Sequence, residues 1–183
     1  MVPLTGEPLA LDLLNTRAHT PDGEIDLLDS PDMFREWLSV QSERLSPMDT
    51  IDAADLAAVR VLRGHIAEAV EHARHGTAPP EAAVRALNEA QRAAPPYREL
   101  GWDGTAPTAT VRRAGDARAR FLAELAEAAV DLLTGSAVTK VRGCEGPDCH
   151  MLFLPAHPRR RWCSPALCGN RVRVARYYQR HKD

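Results

Sequence analysis

Residues 144–170 read CEGPDCHMLFLPAHPRRRWCSPALCGN and hold all four cysteines of the 183-residue chain. Cys144, Cys149, Cys163 and Cys168 fall in the spacing C-x4-C-x13-C-x4-C. Each close pair can form a local clamp, and the longer loop lets the two clamps face each other, which suits the tetrahedral thiolate set that Zn²⁺ favours. Gly146-Pro147 in the first gap and Gly169 after the last cysteine allow tight turns around a metal. So short a segment has too little apolar mass to fold alone, and a bound ion would supply much of its stability. Two disulfides are the competing reading; an iron–sulfur cluster fits the spacing less well. His150 and His157 are read as surface or packing residues. Four thiolates fill the coordination shell, so one structural Zn²⁺ per chain is expected, with no open catalytic position.

Working outward, Ser164-Pro165 supplies an N-cap and a proline at the first helical position, and a basic helix is expected from there to about His181. Arg173, Arg176 and Arg180 share one face of it, Tyr177 lies on the adjoining sector, and Arg171 sits near its start. Upstream, Arg159, Arg160 and Arg161 run into Trp162. Arginines held on a metal-fixed scaffold suit phosphate contacts and, on a helix in the major groove, base edges. Asn170 could hydrogen-bond adenine but is read first as capping the helix and bracing the cysteine turn, and Trp162 as packing over the metal module.

Charge divides the chain at the same place. Residues 1–139 carry 13 Lys/Arg against 22 Asp/Glu, a net of −9, whereas residues 140–183 carry 10 against 3, a net of +7. The basic end could dock on the chain's own acidic body, on an acidic protein, on RNA or on duplex DNA.

The body reads as mostly helical. Leu9 to Leu14 is a short helix or a buried strand, residues 19–30 are mainly loop, and a helix begins at Ser30-Pro31 with Phe34 and Trp37 inward. The clearest helix runs from about Ile51 to Ala73, capped by Asp49 or Thr50, with Leu56, Val59, Leu62, Ile66, Ala69 and Val70 on one face. A shorter helix ends near Ala94, before Pro95-Pro96. Tyr97–Trp102 and Thr108–Arg113 form a β-hairpin, a helix follows from about Asp116 to Leu133, and Val138–Arg142 is expected as a strand. Trp37 and Trp102 are read as core anchors. The expected architecture is α+β, mostly α: a helical domain over residues 1–136 with a small β-hairpin, then a four-cysteine zinc finger over residues 137–183 ending in a basic helix.

Asp12, Asn15, Thr16, Arg17 and His19 cluster after the first apolar segment. Asp12, Asn15 and Arg17 could rim a pocket for a small-molecule effector; as caps and turn bonds they would be structural. The body could also form a homodimer. Nucleophiles in a recognisable setting are missing, so no enzyme is expected. The chain shows no apolar run of about 18 residues and no basic leader, which points to the cytoplasm and away from a membrane.

The run Arg161-Trp162-Cys163-Ser164, then Cys168-Gly169-Asn170-Arg171, then Tyr177-Tyr178 with Arg180, closely resembles the CGNR zinc finger family. Leu9-Ala10-Leu11-Asp12-Leu13-Leu14-Asn15-Thr16 is similar to the opening of the ABATE domain that precedes this finger in bacterial proteins. The resemblance implies stress-induced transcriptional regulation, with DNA bound by the finger. It implies Cys144, Cys149, Cys163 and Cys168 as ligands, and Arg160, Arg161, Arg171, Arg173 and Arg180 as basic positions. Glu145 and Asp148 depart from a phosphate-binding pattern, because both would repel phosphate locally.

Overall fold

The computed structural model describes residues 6–20, 23–164, 168–170 and 172–174. The ambiguous first segment is a helix, α1 (Leu9–Leu14), with Ala10, Leu11 and Leu13 buried. Where the sequence suggests a loop, the chain instead forms an antiparallel hairpin, β1 (Arg17–Thr20) and β2 (Gly23–Asp26). Its sequence is polar enough to pass for a loop, and the cause of the strands is tertiary. Ala18 pairs with Ile25, and both pack against the cysteine module.

Helix α2 (Pro31–Val40) starts at Ser30, whose hydroxyl accepts from the Met33 N–H at 3.2 Å. Its Phe34 and Trp37 stack with ring centroids 5.7 Å apart, and Phe34 meets Phe121 edge-on at 5.9 Å. Helix α3 (Ala53–Arg74) buries the whole expected stripe from Leu56 to Val70. Its cap, however, is Asp52. The Asp52 carboxylate accepts from the Asp55 N–H at 2.7 Å, and the Asp55 carboxylate accepts from the Asp52 N–H at 2.9 Å. An acid one carbon shorter than the usual Glu closes this reciprocal box.

Helices α4 (Glu81–Ala93) and α5 (Ala117–Thr134) pack on α3 and on each other, and α1 lies against α3 and α5. Between them, β3 (Pro96–Trp102) and β4 (Pro107–Arg113) pair from Pro96↔Arg113 to Trp102↔Pro107. The Asp103 carboxylate closes the connecting loop, accepting from the Thr105 and Ala106 N–H groups at 2.8 Å each. One expectation is overturned here. Trp102 is 65% exposed and anchors nothing in the core, because every residue of β3 stands out in solvent.

After α5, Val138–Lys140 forms a 3₁₀ turn in place of the expected strand. Val138 and Val141 are both buried and three residues apart, so a three-residue pitch sends both inward. Two short antiparallel strands follow, β5 (Arg142–Gly143) and β6 (Leu152–Phe153), and helical backbone resumes at 168–170 and 172–174. The main core is helical; a smaller cluster of Ala18, Met151, Phe153, Cys163 and Cys168 surrounds the metal module. Ile25 packs on both clusters and joins them. Among the described residues, no helix is long and apolar enough to cross a membrane.

Candidate metal centre and the surface around it

The sulfur atoms of Cys144, Cys149, Cys163 and Cys168 all lie within 4.8 Å of one another. Thiolates placed tetrahedrally at about 2.3 Å from an ion stand about 3.8 Å apart. The Cys149–Cys163 and Cys163–Cys168 sulfur separations are 3.9 and 3.5 Å, close to that spacing and far outside a disulfide. None of the four cysteines is in a disulfide. The N–H groups of Gly146 and Cys163 donate to Cys144 Sγ at 3.4 and 3.2 Å.

A hydrogen bond from Cys163 holds the Cys149 thiol down to about 5, and that bond to Cys149, together with burial, pushes Cys163 up. One sulfur ionises easily and the next resists. A divalent ion between them removes that repulsion, so the donor set can hold a soft metal ion.

The turn chemistry is equally specific. A Cβ at Gly146 would lie 2.9 Å from both Cβ and Sγ of Cys168, so the first clamp closes against the second only with glycine there. Asp148, with φ 55°, is the one non-glycine residue in the left-handed region among the described residues. The module is further pinned by Cys144 N–H to the Met151 carbonyl at 2.9 Å and Glu145 N–H to the Arg161 carbonyl at 3.0 Å.

The module does not hang free of the body. Asn15, 2% exposed, donates its amide to the Leu152 carbonyl at 2.8 Å and accepts from the Leu152 N–H at 2.9 Å. Its side chain thus copies a peptide group and satisfies the outer edge of β6. Glu7 accepts from the Leu154 N–H at 2.8 Å and from Arg160 Nη2 at 2.8 Å. Sequence reasoning misses Glu7, a lone acid ahead of α1 with no local pattern to mark it.

The basic residues divide into two groups. Arg160 turns inward, donating to Glu7 and to the Cys163 carbonyl at 2.6 Å, with its guanidinium 4.3 Å from the Phe153 ring centroid. It thereby ties the metal module together and onto the body. Arg159, Arg161 and Arg173 are exposed. Arg161 pairs with Glu145, Nε to Oε2 at 2.6 Å, and that bond holds the Glu145 carboxyl below the usual range. Arg173 donates to Asn170 Oδ1, so Asn170 contacts its own helix, while Gly169 N–H bonds the Ser164 carbonyl at 3.0 Å. Trp162 packs on the smaller cluster beneath Arg161. Arg171, Arg176, Tyr177 and Arg180 lie outside the described residues.

The expected pocket residues part company. The Asp12 carboxylate is fully buried, taking the Gly6 and Glu7 N–H groups at 3.0 and 3.1 Å, Gln41 Nε2 at 3.2 Å and Arg44 Nη1 at 2.6 Å. Asp12 and Asn15 both spend their side chains on bonds within the fold. Arg17 lines a cleft of about 730 Å³ between α3 and the metal module.

The fold and site define a mostly helical domain carrying a four-cysteine, metal-binding module of the zinc-finger kind. The chain belongs to the ABATE family, described as "Putative stress-induced transcription regulator", whose model matches residues 7–136; the CGNR zinc finger model matches residues 140–181. Both families are non-catalytic. A search of curated proteins gave no match.

Proposed function

We propose that the protein is a DNA-binding transcriptional regulator of the cytoplasm, in which residues 137–183 contact duplex DNA and residues 1–136 regulate that contact. The cysteine cluster holds one structural Zn²⁺ in this reading. It has no hydrolytic role, since four thiolates leave no position for water or substrate. The observation that carries the reading is the exposure of Arg159, Arg161 and Arg173 around a metal-pinned module, while Arg160 is consumed in holding that module to the body. Arg171, Arg176 and Arg180 extend the same basic segment by sequence. The Arg161–Glu145 pair is exposed on both sides, so a phosphate can replace the carboxylate at small cost.

Fluorescence anisotropy on duplex DNA across a salt series tests this. Affinity should fall steeply with salt. Each of R159S, R161S and R173S should weaken binding across sequences and reduce the salt slope by about 0.9 for every phosphate left unneutralised. Binding that ignores salt, or that survives the triple substitution unchanged, refutes the proposed surface. An RNA duplex of the same length distinguishes shape-based RNA recognition from DNA binding.

A further inference from the structure

The cleft between α3 and the metal module has the chemistry of a ligand site. One wall is a helical stripe of α3 that includes Arg60, Arg63, Gly64, Glu71 and Arg74; Leu14 and Arg17 come from α1 and β1; the facing wall is Gly143, Cys149, His150 and Leu152. At about 730 Å³ it lies within the range of small-molecule pockets.

Its four guanidinium groups are held in two ways. Arg63 is a fixed part of the frame: 13% exposed, it donates to both oxygens of Asp26 at 2.7 and 2.5 Å and to Thr16 Oγ1 at 2.7 Å. Arg74 is likewise forked onto Glu71 at 2.7 and 2.8 Å. Arg17, by contrast, reaches Glu24 at only 3.5 Å, and Arg60, tied to the Leu28 carbonyl, reaches Asp29 at only 3.4 Å, in ion pairs well exposed on both sides. Such pairs contribute little, so an incoming anion can exchange with either carboxylate.

A second observation comes from Gly64. Glycine inside a helix costs about 1 kcal/mol relative to alanine. Yet a Cβ at Gly64 would meet nothing within 4 Å, and its φ lies outside the left-handed region. Neither packing nor backbone geometry requires glycine there. What its smallness does is keep the floor of the cleft open.

We propose that this cleft binds a small organic oxyanion, with a carboxylate or phosphate head between Arg17 and Arg60 and an apolar body over Gly64, Leu14 and Leu152. A ligand so placed touches α3 and the metal module at once, and it would set the angle at which the basic surface is presented. The coupling to DNA rests on the function proposed above; the binding does not.

Calorimetry on the metal-loaded full chain with benzoate, phenyl phosphate, inorganic phosphate and neutral benzyl alcohol tests the site. Benzoate or phenyl phosphate should bind saturably, at least about tenfold tighter than inorganic phosphate or benzyl alcohol. Which of the two wins identifies the head group. G64L should abolish binding while melting no lower than wild type, and G64A should melt higher; R17Q should weaken binding about tenfold or more. No saturable binding of either organic anion up to about 10 mM overturns the proposal. Equal binding of benzyl alcohol, or G64L binding as wild type, overturns it as well. DNA anisotropy with and without the bound probe reads the coupling separately. Unchanged DNA affinity refutes the coupling and leaves the site standing; no DNA binding in the unliganded chain refutes the function and the coupling together.

Discussion

Replacing Asn15 by alanine should uncouple the metal module from the body. The side chain makes two hydrogen bonds, both to the main chain of Leu152, at 2.8 and 2.9 Å. Gly143 pairs with Leu152 on the other side of β6, so nothing else on this edge can take over. Each bond is worth about 1 kcal/mol net, and each Leu152 group left dry and unpaired adds about 1 kcal/mol or more. The expected loss is about 2–4 kcal/mol. If it is confined to the joint, the Leu152 amide should exchange with solvent roughly 30 to 1,000 times faster. Hydrogen exchange on the metal-loaded protein reads this directly, with amides of α3 and α5 as internal references. Leu152 exchange within about threefold of wild type would refute the reasoning, because it would mean that apolar packing of Leu152 and Leu154 alone holds the joint.

Other consequences can be checked alongside. G146A drives a methyl group to 2.9 Å from Cys168 Sγ; chelator competition should show metal affinity reduced by about tenfold or more, and wild-type affinity would refute the close approach. D148G relieves the left-handed backbone at φ 55° and should raise the melting temperature by the equivalent of about 0.5–1 kcal/mol; a lower one would refute it. Burial acts to raise the Asp26 pKa, but bonds from Arg63 and the Leu28 N–H, with the charges of Arg63 and Arg60, hold it below 3.8. The Asp26–Arg63 pair therefore contributes stability that is fully present above pH 3.8 and lost as pH falls through the lower folded value. D26N should cost about 2–3 kcal/mol at neutral pH and flatten the acid limb of a stability–pH curve. An unchanged acid limb would refute that. Chelation should free the amides around Cys144 to Cys168 while those of α3, α4 and α5 stay protected, and uniform loss would contradict the separate small core.

What can be read from sequence follows from how local each cause is. The stripes of α3 and α5 repeat within one helix, so periodicity finds them, and the cysteine spacing carries its chemistry within 25 residues. The β1–β2 hairpin is hidden because its stabilising contacts, Ala18 and Ile25 on the metal module, come from far along the chain. The three arginines 159–161 are identical by type, and what turns Arg160 inward is a set of partners made only by the fold, Glu7, the Cys163 carbonyl and the Phe153 ring. Trp102 misleads for the opposite reason: aromatic residues are usually core, and nothing local says that β3 and β4 stand away from the helices. The cleft is half visible, since Arg60, Arg63 and Glu71 are plainly off the apolar stripe, but its second wall belongs to another part of the chain.

The Asn15–Leu152 joint also has a bearing on how the chain folds. It closes a span of 137 residues, joining one of the first helices made to one of the last strands. Closing so long a loop is entropically slow, and it can succeed only once α3 and α5 hold α1 in place. During synthesis the Asn15 amide must wait, hydrated, until the metal module emerges. The joint therefore acts as a late latch: metal can enter the cysteines at any time, but the finger is oriented only in a chain whose helical body has already assembled.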